Sequence, residues 1–123
     1  MTDPVARRRE AVALGAAAEK QVAEVLENQG WTICARNWLG GGGELDVIAE
    51  CDGRIQFVEV KARAPGDFVG LEVIGHTKQR KMSRAATAWL SRWEGPFKES
   101  SFTVVLVEEG ELSWIFDAFD EVR

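Results

Sequence analysis

Apolar residues recur along this chain in distinct rhythms. Leu14, Ala18, Val22, Val25 and Leu26 follow helical spacing and predict a helix from about Arg8 to Asn28, ended at Gly30, where a left-handed cap is common. The same periodicity returns in Met82, Ala85, Ala86, Trp89, Leu90 and Trp93, the strongest helical stripe in the chain, predicting a second helix from His76 or Thr77 to Trp93. Its aromatic residues sit on that stripe and therefore read as core rather than as a base-stacking platform. Strand-like runs occupy the rest: Trp31 to Trp38, the two arms of Gly43 to Lys61 around Asp52-Gly53, and Phe102 to Val107. That last run is almost unbroken in its apolar character, as in a strand buried on both faces. Glu109-Gly110 turns it into a final strand, Leu112 to Phe116, with Phe119 placed to close the core. Residues 1–8 read as a frayed N-terminal arm ahead of a single domain over 9–123, and Ala62 to Gly75, with Pro65, Gly66 and Gly70, as a loop that is either a substrate clamp or a plain connection. Gly40 to Gly43 is a flexible bend. No Lys-Ser/Thr pair or helix start follows it, so it fits a nucleotide loop poorly.

Ionised residues inside otherwise apolar strands need an explanation, and the hairpin Gly43 to Lys61 puts Asp46 on its first run and Glu59 and Lys61 on its second. Period-two alternation puts Ile55, Phe57, Glu59 and Lys61 on one face, with Glu59 and Lys61 roughly 7 Å apart along the strand. Asp52-Gly53 is a short-range hairpin signal. Asp46 lies six residues before Asp52 and Glu59 six after Gly53, so a simple hairpin makes them cross-strand neighbours. Two carboxylates repel by about 4 kcal/mol at 4 Å with an effective dielectric near 20. Lys61 would offset part of that. A hard divalent cation held by Asp46, Glu59 and a backbone carbonyl would offset more and would bring phosphate and water with it, which is the chemistry of a phosphodiesterase. The competing reading is an exposed hairpin end with a surface ion pair, worth about 0 to 1 kcal/mol.

Glu19 borders the apolar stripe of the first helix. It is either a third carboxylate leaning over the hairpin, with Gly15 letting the helix approach the sheet, or a surface glutamate paired with a lysine. On the second helix Arg80, Lys81, Arg84 and Arg92 face outward, whereas Lys78, one turn before Met82, falls on the buried edge and within reach of a site or a phosphate near it.

At 123 residues, with 46% hydrophobic and 28% charged residues, the chain has the composition of one soluble globular domain. It shows neither a signal core nor an apolar run near membrane length, which points to the cytoplasm and away from membranes. Two cysteines, Cys34 and Cys51, and one histidine, His76, make a Cys/His zinc site improbable and leave buried reduced thiols as the expectation. The net charge of −5 runs against a simple nucleic-acid binder, but it is uneven: residues 1–60 carry −4, residues 61–98 carry +5 and residues 99–123 carry −6. The basic middle segment could form a phosphate-facing stripe.

The ordered set GxxxE on the first helix, Arg36-Asn37, GELDVIA from Gly43, FVEVKAR from Phe57, and Lys78 leading to Trp89-Leu90 resembles the YraN family of small bacterial proteins. Members are described as predicted endonucleases with a restriction-endonuclease-like fold, similar to archaeal Holliday-junction resolvases. The resemblance spans roughly residues 10–119. It implies an α/β domain with a mixed central sheet of about five strands flanked by helices, and a PD-(D/E)xK centre. In that centre Asp46 and Glu59 bind Mg (or Mn), the Val60 carbonyl adds a ligand, Lys61 orients or activates water, and Glu19 is the helix-borne carboxylate. Lys78, Lys81, Arg63 and Arg84 are the cations expected to meet DNA, possibly branched DNA, and a homodimer would suit two-fold substrates. The chain departs from the family pattern at Ser101-Phe102-Thr103, where Arg-Phe-Asp is common. The alternative to a nuclease is a non-catalytic nucleic-acid or protein binding module that retains the fold.

Overall fold

The computed structural model describes residues 3–63 and 74–122. The expected loop residues Pro65, Gly66 and Gly70 lie outside them. The elements run α1 (Pro4–Asn28), β1 (Thr32–Gly40), β2 (Gly43–Cys51), β3 (Arg54–Arg63), α2 (His76–Leu90), β4 (Glu99–Glu108) and β5 (Glu111–Ile115). The strands form one mixed sheet in the order β1-β2-β3-β4-β5. Only β3 and β4 are parallel, with α2 as their crossover; the other neighbours are antiparallel hairpins.

All three hairpins close through two-residue turns with positive φ at both positions: Gly41-Gly42 (62° and 85°), Asp52-Gly53 (50° and 83°) and Glu109-Gly110 (49° and 80°). Such turns match the twist of the flanking strands, which is why the register follows directly from the turn.

The sheet is buried on both faces. Leu45, Ile48, Ile55, Phe57, Phe102 and Val104 pack under Met82, Ala85, Ala86 and Trp89 of α2. On the opposite face Val47, Ala49, Val58, Val105 and Val107 pack under Ala18, Val22 and Leu26 of α1. Each large side chain so buried contributes about 1.5 to 3 kcal/mol. β4 lies in both layers, as its unbroken apolar run predicts. Of the divergent triplet, Phe102 stacks on Phe119 at 4.5 Å, and buried Thr103 donates its hydroxyl to Gln56. Phe102 and Thr103 thus serve the core.

Four expectations need correction. α1 begins at Pro4, not near Arg8, because Asp3 caps it by accepting from the Val5 N–H at 3.0 Å and Pro4 has a φ suited to the first turn. The residues expected as an arm are thus helical from Pro4. Leu14 is 44% exposed, and a Cβ on Gly15 would meet open space, because the first buried residue of α1 is Ala18. α2 stops at Leu90, and Trp93 turns back to stack on Trp89 at 4.9 Å while its indole N–H donates to the Pro96 carbonyl at 2.9 Å. Cys34 and Cys51 are free thiols as expected, but half-buried rather than buried. Among the described residues no helix is long and apolar enough to cross a membrane.

Candidate active site

The β2–β3 register pairs Val47 with Val58, so the next step along the two strands sets Asp46 against Glu59, as the turn count predicts. Both acids are buried, at 9% and 8% exposure. Asp46 Oδ2 accepts the Val60 backbone N–H at 2.8 Å. Glu59 shares its face with Phe57 and thereby points toward α2, where Lys78 Nζ lies 3.4 Å from Oε1. Its second oxygen, Oε2, is buried with no hydrogen-bond partner.

That environment raises the Glu59 carboxyl to about 7. Loss of solvent is the largest cause and the Asp46 charge the next, against a smaller opposing pull from Lys78. Protonated Glu59 can donate to Asp46; ionised, the two oxygens can only repel. Glu59 therefore takes up its proton near neutrality.

Asp46 reaches this position through an irregularity in β1 and β2. Leu45 and Ile48 pack on the α2 side while Val47 packs on the α1 side, so strict alternation slips at Asp46. Opposite it, Asn37 has φ 50° and drops out of the ladder, between Arg36↔Val47 and Trp38↔Leu45. Asparagine tolerates the left-handed region better than most residues. The Asn37 side chain also hydrogen-bonds Glu19, and Arg36 Nη2 lies 3.9 Å from Glu19 Oε2. Burial, followed by the Asp46 charge, raises the Glu19 carboxyl; the Asn37 bond and Arg36 oppose that rise. Arg36 and Asn37 carry no assigned role in the sequence reading, and only the backbone conformation reveals what they do.

Glu19, Asp46 and Glu59 thus come from α1, β2 and β3 to the same end of the sheet. The surface-glutamate reading of Glu19, which called for a lysine partner, gives way to Arg36 and Asn37. Among the described residues, however, no three His, Cys, Asp or Glu side chains lie close enough together to hold one metal ion. The compact pair is Asp46 and Glu59, and Glu19 stands outside it. Lys61 is exposed on β3, and the cation against Glu59 is Lys78. Arg63 is half-buried at the end of β3, with Nη2 unpaired among the described residues.

Two of the four glycines have a packing role against α2. A Cβ on Gly43 would collide with the Lys81 carbonyl, and one on Gly41 would lie 2.5 Å from the Arg84 carbonyl. The β1–β2 turn therefore rests directly on the α2 backbone, which aims Lys78 and Lys81 along an open groove of about 580 Å³ lined also by Leu39, Gly40, Gly42 and Glu44. Arg84 is exposed farther along the same helix.

Residues 18–107 match the profile of the uncharacterised protein family UPF0102. The chain belongs to that family. A UPF0102 protein of Halorhodospira halophila is 36% identical over 122 residues, covering 98% of each chain. One from Nitratidesulfovibrio vulgaris (strain DP4) is 38% identical over 113 residues, covering 88% of this chain and 84% of the relative. A Synechococcus sp. UPF0102 protein is 44% identical over 92 residues, covering 73% and 69%. The YraN resemblance and UPF0102 membership are one and the same finding, and the matched span includes Glu19, Asp46, Glu59, Lys61 and Lys78.

Proposed function

We propose that this UPF0102 chain is a metal-dependent nuclease that hydrolyses DNA phosphodiester bonds, with a restriction-endonuclease-like fold. The observation that carries the reading is the buried Asp46–Glu59 pair: two adjacent carboxylates, one oxygen of Glu59 without a partner, and burial, followed by repulsion from Asp46, that raises Glu59 to about 7. A protein stabilised only by its core gains nothing from such a pair. A mixed sheet between two helical layers, with acids from a helix and two central strands at one end, is the arrangement expected of that fold.

Asp46 and Glu59, with the Val60 carbonyl, are the residues that would hold Mg (or Mn), and the unpartnered Glu59 oxygen suits a hard cation. Such an ion supplies Lewis-acid polarisation of a phosphoryl oxygen and lowers the pKa of bound water. The protein's own groups do the rest. The Val60 N–H fixes Asp46, while Lys78 balances Glu59 and offers an ammonium to a phosphate oxygen. Lys61, two residues beyond Glu59, orients the attacking water. Glu19, beside Asn37 and Arg36, is the helix-borne carboxylate that would accept a proton from that water. Lys78, Lys81, Arg84 and Arg63 receive the DNA backbone.

Incubation of the purified protein with junction, flap and linear DNA plus Mg or Mn tests the proposal. Cleavage lost in both Asp46→Ala and Glu59→Ala supports it, and cleavage unchanged in both removes the assignment. A second reading, a binding module that keeps the fold without turnover, draws on the absence of a three-carboxylate cage among the described residues. DNA binding without any cation uptake at millimolar metal would favour it.

A further inference from the structure

α1 is longer than its packing requires. From Pro4 to Ala17 no residue is buried, and burial begins at Ala18. At 1.5 Å per residue this free segment is about 20 Å long. Its direction follows from the topology. α1 runs toward the far end of the sheet, and β1 returns to the end where Asn37, Asp46 and Glu59 gather, so the free segment projects beyond the acidic site.

The stripe that Val22 and Leu26 bury continues backward through Glu19, Gly15 and Arg8 at helical spacing. Arg8 therefore stands on the site-facing side of the overhang, and Arg7 and Arg9 flank it about 100° to either side. All three are exposed, and none has a carboxylate partner among the described residues. The segment carries one acidic residue, Glu10, against these three arginines. On the opposite face of the sheet α2 presents Lys78, Lys81 and Arg84 at the same end. In a chain of net charge −5, both helices bracket the acidic centre with cations.

We infer that the α1 overhang is an arm that grips the phosphate backbone of duplex DNA lying across the Asp46–Glu59 end of the sheet. The substrate class rests on the nuclease reading above; the assignment of the arm rests on its charge and projection. The length of the overhang is close to the width of a duplex, so its arginines reach phosphates beyond those at the site. A second copy of the chain is a poorer occupant, because the exposed apolar residues form no broad face: Val5 and Val12, one heptad apart, share a narrow line with Arg8 between them, and Leu14 stands about 160° away from Val12 around the helix.

The test is fluorescence anisotropy of a labelled linear duplex in EDTA, with salt varied from about 50 to 200 mM. Full-length wild type is compared with the triple variant Arg7→Ala, Arg8→Ala, Arg9→Ala, and with the corresponding triple Lys variant. Circular dichroism checks that the helix persists. Three lost phosphate contacts lower the salt slope by about 2 to 3 and weaken binding at least about tenfold at low salt, while the Lys variant retains most of both. Unchanged slope and affinity in the Ala variant overturn the inference, as does a wild type that binds no duplex. A variant that loses dimerisation in light scattering but keeps its DNA affinity overturns it too. The two readings separate cleanly. Arm-dependent binding with cleavage indifferent to Asp46→Asn sinks the nuclease centre alone, and Asp46-dependent cleavage with arm-independent binding sinks the arm alone.

Discussion

Replacing Glu59 with glutamine should stabilise the protein in alkaline solution and leave it unchanged in acid. Glu59 is buried beside Asp46, and its carboxyl is raised from 4.5 to about 7. The folded state therefore holds a proton that the unfolded chain releases. Below about pH 4.5 both states are protonated and the group contributes nothing. Between about 4.5 and 7 stability falls as pH rises, and above 7 the folded protein carries the whole penalty, about 3 kcal/mol at 1.4 kcal/mol per unit. Glutamine keeps the size, can donate to Asp46 as the protonated acid does, and cannot ionise. Urea unfolding in EDTA at a series of pH values measures the difference. Glu59→Gln should match wild type near pH 4 and exceed it by about 3 kcal/mol near pH 8. Curves that run parallel from pH 4 to 8 would refute the claim that this carboxylate is held at an energetic cost.

Three further outcomes follow from the geometry. Lys78→Met removes the cation 3.4 Å from Glu59, so the carboxyl should rise further and wild-type stability should be lost at high pH but not at low pH, seen by the same urea titration. Gly43→Ala drives a Cβ into the Lys81 carbonyl and should cost about 2 kcal/mol or more, whereas Gly15→Ala, with open space around it, should be neutral or stabilising by about 1 kcal/mol in thermal unfolding. Asn37→Ala must adopt φ 50° and should lose about 1 to 2 kcal/mol; Asn37→Gly relieves that strain but still frees Glu19, so carboxyl NMR should show the Glu19 titration displaced upward in both variants.

Much of the site could be read from residue order because the hairpin turn sets the register. With Asp52-Gly53 as a two-residue turn, equal counting outward places Asp46 opposite Glu59, and the alternation of Phe57 and Glu59 sends the acid toward α2. β4 was equally legible, since a strand buried on both faces leaves no polar alternation. What escaped is what depends on backbone conformation or long-range contact. Asn37 looks like an ordinary strand residue until its φ is known, and its departure from the ladder is what moves Asp46 out of alternation. The glycines of the β1–β2 turn read as flexibility, yet two of them are needed because the turn meets the α2 backbone. Lys61 is near Glu59 in sequence and Lys78 is not, but a strand neighbour two residues along stays out along the strand while the helix delivers its lysine directly onto the carboxylate. Helical periodicity locates the apolar stripe of α1 but not its start, which the Asp3-Pro4 cap sets well beyond the packed region.

Calorimetric titration of Mn into the purified chain, repeated with Asp46→Asn and Glu59→Gln, bears most directly on the central claim that these two carboxylates form a cation site. The account predicts one ion per chain in the wild type, tighter as pH rises through 7 and Glu59 gives up its proton, and no uptake in either variant. Uptake that is indifferent to both substitutions, or none in the wild type at millimolar metal, would contradict it.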